Sequence, residues 1–165
     1  MPPFYTQPVD PTTLDPHTLA ADLRTHLAAA ERQLRAISAE AAAQPIAPGK
    51  WSTQQTIGHL IDSCTNNLQR LIRMQLTPEL TFPGYQQEEC VQLQRFDLEP
   101  WPEVLALFFA LNRHFAHAIE HADPATFTHT WFFEGEHIPL GFVLVDYNGH
   151  LDHHLRQLPG YTHAT

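Results

Sequence analysis

Apolar residues recur with a helical period in four separated stretches of the chain. The first opens at Asp15-Pro16, a capping carboxylate followed by a proline suited to the first helical position. Leu19, Leu23, Leu27, Ala30, Leu34 and Ile37 then return at three- and four-residue spacing, and the alanines at 41–43 carry helix propensity to a stop at Pro45. The second begins with a capping box, Ser52 and Gln55, with Trp51 ahead of it as a hydrophobic staple, and runs to about Leu76 before Thr77-Pro78. Its apolar face is Ile57, Leu60, Ile61, Cys64, Leu68, Leu71 and Ile72.

Between Thr77 and Pro100 the periodicity weakens; Pro83-Gly84 predicts a turn and 88–93 a short helix. A connection of that length crosses over the fold or carries function. The third helix is expected from Trp101 to about Ala122, with Trp101, Val104, Leu105, Phe108, Leu111, Phe115 and Ile119 on one side. A short extended hairpin or irregular loop fits the mixed pattern around Glu134-Gly135. The fourth helix runs from Leu140 to Leu158, with Leu144, Tyr147, Leu151 and Leu155 on its apolar face and Pro159-Gly160 as its stop. Four one-sided helices bury those sides against each other, so the expected class is all-α: a four-helix bundle with a long crossover between helices 2 and 3. No repeat or boundary divides residues 1–165, which are expected to form one domain with 1–14 as an extended tail.

Composition narrows the function. Lys plus Arg is 9 against 18 Asp plus Glu, a formal charge of −9, which argues against nucleic-acid partners and anionic membranes. No apolar run approaches the roughly 20 residues of a spanning helix, and the N-terminus has no signal-peptide pattern. A soluble, cytoplasmic protein is the expectation. Cys64 and Cys90 are too few for a disulfide framework; Cys64 falls on an apolar face and Cys90 has no local activator. Histidine is the outlier, with 12 copies.

His150 and His154 lie four apart on the fourth helix, the spacing by which one helix offers two imidazoles to one metal ion. The same spacing suits two partly buried histidines hydrogen-bonded to neighbours, and both readings stay open. His153 points to the wetter side, and His114, His117 and His121 lie opposite the aromatic face of the third helix, toward water. His17, His26, His129, His137 and His163 belong to no constellation. By periodicity His59 faces solvent, in a polar strip with Gln55, Asp62, Ser63 and Asn66. Few charges occupy that strip, which leaves room for a cleft lining.

Residues 50–63, KWSTQQTIGHLIDS, resemble the second helix of the DinB-like helical bundles, and 149–155, GHLDHHL, resemble that family's H-x-x-H-H signature. The similarity is greatest to the branch of bacillithiol transferases and metal-dependent hydrolases. There a W-[ST] helix start, an H-[LV]-x-D-S segment, a P-x-Y crossover (here Pro83-Gly84-Tyr85) and the C-terminal histidines recur in this order. The resemblance covers about Leu19 to Leu158.

The resemblance implies one divalent metal held by His59, His150 and His154, overturning the solvent reading of His59. Zinc or nickel come first as candidates, with iron or manganese after them. Three neutral imidazoles leave coordination positions open, the arrangement of a catalytic site. Asp62 and Asp146 lie within a turn of ligands on their helices and are candidates to orient the imidazoles. The implied reaction is transfer of a low-molecular-weight, bacillithiol-like thiol to an electrophilic small molecule. The alternatives are metal-dependent hydrolysis and a non-enzymatic metal-binding or stress-related bundle. Arg70 and Arg73 are the nearest cations for an anionic thiol, and Glu88 and Glu89 reach the site if the crossover folds over the bundle mouth. The partners expected are a thiol and an electrophile, with a homodimer where an apolar face is left over.

Overall fold

The computed structural model describes residues 7–162; His163 and the first six residues of the expected tail lie outside them. The rest of that tail is not simply extended. Asp10 caps a 3-10 turn at Pro11–Thr13, accepting from the Thr12 amide at 2.9 Å, and Pro11 and Leu14 rest on Gly141.

Helix α1 spans Pro16–Ala36 and starts on Asp15, whose carboxylate accepts from the Thr18 amide at 3.0 Å. It stops before the alanine run. Ser38 caps a separate short helix α2, Ala39–Ala43, accepting from the Ala41 amide at 3.2 Å, while Ile37 turns extended and gives its carbonyl to the Trp101 indole at 3.0 Å. A capping side chain and a tertiary donor together outweigh the alanines' propensity.

Helix α3, Thr53–Leu76, starts on the expected capping box: Ser52 and Gln55 bond each other's backbone at 3.1 and 3.0 Å. Trp51 packs on His59, with ring centroids 5.2 Å apart. The connection that follows holds strand β1 (Glu79–Thr81), helix α4 (Gln87–Gln94) and a 3-10 turn at Phe96–Leu98. Helix α5, Trp101–Glu120, leads through a 3-10 turn to strands β2 (Thr130–Phe133) and β3 (Glu136–Pro139), and helix α6 is Leu140–Arg156.

The strands form a small sheet in the order β1-β2-β3. β2 and β3 form a hairpin, the first of the two forms expected there, closed by Glu134 and Gly135 with φ of 51° and 87°, the two left-handed residues of a tight hairpin turn. Parallel pairing of β1 with β2 (Leu80 opposite Trp131) was not legible, because three residues carry too little periodicity.

The bundle consists of α1, α3, α5 and α6. α5 and α6 each pack against both α1 and α3, so α1 and α3, successive in the chain, lie across the diagonal. Their apolar faces meet in one core containing Leu23, Leu34, Leu60, Leu71, Phe108, Phe115 and Leu151. Each such side chain contributes roughly 1.5–3 kcal/mol by leaving water. Ile72, expected on that face, is 45% exposed, whereas Phe109 on α5 is fully buried. No helix among the described residues is long and apolar enough to cross a membrane.

Candidate metal centre

The first half of α3 is buried nearly all round. From Thr53 to Cys64 every residue except Gln55 is buried, polar ones included. α5 and α6 flank the helix, and α4 and the Phe96 turn cover another side. Periodicity therefore misplaced His59: it is 0% exposed, on a polar strip that faces the interior. Gly58 makes this cover possible, since a Cβ there would meet the Phe96 ring at 2.3 Å.

The structure brings His59 of α3 together with His150 and His154 of α6. The Nε2 atoms of His59 and His150 are 3.0 Å apart, and one ring nitrogen from each of the three lies within 4.8 Å of the others. Burial holds the imidazoles uncharged at neutral pH. His59 and His154 are lowered to about 4 and His150 to about 2, the last two also by the neighbouring histidines. Nitrogen lone pairs thus converge on a small buried volume that repels protons. Such a donor set fits a divalent cation of zinc, nickel, iron or copper character.

Ser63, one turn beyond His59, places its Oγ 3.0 Å from His150 Nδ1. When that nitrogen donates to Ser63, His150 Nε2 presents its lone pair to His59 and the centre. The Asn67 amide donates to the Ser63 carbonyl at 2.9 Å, and the Tyr85 hydroxyl of the crossover bonds Ser63. Ser63 and Tyr85 stood inside the recognised segments without a role; the periodic signal for Ser63 was the four-residue step from His59 to Ser63 to Asn67, and Tyr85 in the crossover had none.

Asp62 does not orient a triad imidazole. It accepts from Gln94 of α4, while its other oxygen and His59 Nδ1 are buried without hydrogen-bond partners. Burial raises the Asp62 carboxyl, and the Gln94 bond opposes that rise. Asp146, one turn before His150, lines the cleft beside it.

Of the other described histidines, His153 packs edge-on against His154, with ring centroids 5.3 Å apart. His114, His117 and His121 are exposed, as expected. His117 and His121 approach Glu120, but Arg24 already holds that carboxylate at 2.5 and 3.2 Å. Cys64 is buried and its thiol is pushed up to about 12; Cys90 is also raised by burial, Asp62 and Glu89. Neither is a poised nucleophile. Glu88 and Glu89 point to solvent, and the crossover presents Tyr85, Gln86 and Gln87 to the cleft instead.

That cleft, about 960 Å³, opens between α3, α6, the crossover and the hairpin, and reaches the triad at His150. Trp131, Phe133, Phe142 and Tyr147 supply apolar wall; Ser63, Asn67, Arg70 and Asp146 supply polar floor. Arg73 points outward, its guanidinium 5.4 Å from the Phe82 ring.

Comparison with known proteins agrees with this architecture. The sequence profile of the DinB superfamily matches residues 11–158. A similar solved structure is YfiT from Bacillus subtilis, described as a probable metal-dependent hydrolase with an unusual four-helix bundle topology. It superposes with a TM-score of 0.81 at 18% identity, over 93% of this chain and 89% of that one. A search of curated proteins finds no match.

Proposed function

The chain belongs to the DinB superfamily, and on that premise we propose that it is a thiol S-transferase with one divalent metal on His59, His150 and His154. The observation that carries this reading is the cleft at His150. Its volume of about 960 Å³ is at the upper end for a single small ligand, enough for a thiol and an electrophile side by side. A divalent ion on the triad would lower the pKa of a thiol bound to it and so supply the nucleophile at neutral pH.

The chain's own residues do the remaining work. Burial keeps three imidazoles neutral, with lone pairs available. Ser63 fixes the His150 ring at 3.0 Å. Tyr85, raised by burial, stays a neutral phenol and can donate to a developing charge beside Ser63. Trp131, Phe133 and Phe142 hold the apolar part of the electrophile and exclude water. A thiol held at the triad would give its proton to water; as the S–C bond forms, the electrophile's bond to its leaving group breaks and that group departs as an anion, or, where nothing is displaced, a proton from water completes the adduct.

Hydrolysis is the second reading, favoured by the description of YfiT. Water would then take the thiol's place in the same cleft.

The test is elemental analysis of untagged, chelator-free protein with the His59→Ala, His150→Ala and His154→Ala variants, followed by turnover assays. About one equivalent of divalent metal, lost in each variant, is expected. Metal-dependent consumption of bacillithiol or cysteine by 1-chloro-2,4-dinitrobenzene supports transfer. Metal-dependent cleavage of 4-nitrophenyl acetate without thiol supports hydrolysis. Stoichiometric metal with neither activity leaves a metal-binding bundle, and metal indifferent to all three changes removes the centre.

A further inference from the structure

Helix α3 carries more than a metal ligand on its cleft face. His59, Ser63, Asn67 and Arg70 follow one another at i, i+4, i+8 and i+11, a single stripe. Asn67 is bonded to Ser63, and its Oδ1 accepts from Arg70 Nη1 at 3.0 Å. The stripe thus runs continuously from the triad to a guanidinium.

Arg70 is unusual among the chain's cations. It is only 5% exposed, and its guanidinium carbon lies 3.8 Å from the centroid of the Trp131 ring. Its Nε is buried with no hydrogen-bond partner, and among the described residues no carboxylate pairs with it. The acidic residues on the cleft do not fill that role. Glu134 and Glu136 sit exposed on the hairpin rim, and Asp146 on the cleft has interactions of its own. Burial lowers Arg70 to about 10, so it is still a cation at neutral pH. A buried, uncompensated charge is costly and is kept where a ligand supplies the counter-charge.

We propose that Arg70 is the seat for a carboxylate carried by the small molecule that occupies the cleft. One terminal nitrogen is committed to Asn67 and one face to Trp131. The remaining edge, Nε and the second terminal nitrogen, offers two parallel N–H groups that match a carboxylate's two oxygens. Trp131, Phe133 and Phe142 suit an apolar body attached to it. Seven residues of helix separate Ser63 from Arg70, a rise of about 10 Å along the axis of α3. This inference rests on the cleft being the substrate site proposed above.

The test compares 3-phenylpropionate with 3-phenylpropionamide, by calorimetry on chelator-treated and on zinc-loaded protein. The acid is expected to bind about tenfold tighter or more in both forms. Arg70→Met is expected to erase the preference and Arg70→Lys to keep part of it. The Nε–H resonance of Arg70 in the wild type is expected to shift with the acid and not with the amide, which decides the matter even if the variants fail to fold. Equal affinities in metal-free wild type, or a preference surviving in Arg70→Met, overturn the proposal. A preference seen only with zinc puts the carboxylate on the metal and also overturns it. Protein that takes up no zinc yet keeps the Arg70-dependent preference sinks the metal centre and leaves this site standing.

Discussion

In the metal-free protein, burial holds His59 and His154 near 4 and His150 near 2, against 6.5 for an unperturbed imidazole. Below pH 6.5 the unfolded chain takes up protons that the folded one refuses. These groups therefore contribute stability above 6.5 that is lost as pH falls toward about 4. Urea midpoints of chelator-treated protein are expected to be lower at pH 5 than at pH 7.5, with a smaller drop in His154→Gln. An unchanged midpoint would mean that the imidazoles are hydrated. Ser63→Ala removes the partner 3.0 Å from His150 Nδ1 and is expected to weaken metal binding about 10–100-fold without changing helicity. Equal affinity in a competitive metal titration would deny Ser63 that role. The spacing of His150 and His154 was readable because a single helix sets it. His59 was not, because its exposure depends on elements far away in sequence.

Helix starts were legible at Asp15 and Ser52, where a side chain closes the first turn ahead of a long apolar stripe, and not at Ser38, which caps a helix of five residues. The break at Ile37 was not, because it depends on Trp101, 64 residues away, taking the freed carbonyl. Gly58 makes the same point on α3, where only the fold reveals why the position is empty. In Gly58→Ala the new Cβ would lie 2.3 Å from Phe96 Cδ2 and 2.5 Å from Cγ, atoms near the root of a buried ring. The expected loss is about 1–3 kcal/mol despite alanine's better helix propensity, with partial recovery when Phe96→Leu is added. Chemical denaturation measures both. A stabilised Gly58→Ala would show that the α4 side is loosely packed.

The bundle places α3 beside α6, so an ion on the proposed triad would tie two helices whose ligands His59 and His150 lie 91 residues apart in the chain. At a hundredfold excess over its Kd, zinc would add about 2.7 kcal/mol to stability. A higher melting temperature on adding zinc is expected in the wild type and in His117→Ala, and not in His154→Ala. If His117→Ala abolishes the shift, the ion sits on the exposed α5 cluster instead. The diagonal placement of α1 and α3 could not be read from helix order, since apolar stripes specify that helices pack and not which ones are neighbours.

The sequence by itself determined what neighbouring residues in the chain decide: four amphipathic helices, the caps at Asp15 and Ser52, and the paired histidines of α6. Its ordered segments also carried the resemblance that singled out His59. Only the tertiary structure decided which polar residues face inward. A 3.6-residue period records polarity but not direction, and a buried polar strip looks like a solvated one until packing is known. For that reason Ser63, Asn67 and Arg70 became part of a site only once α6, the crossover and Trp131 had closed over the same face of α3.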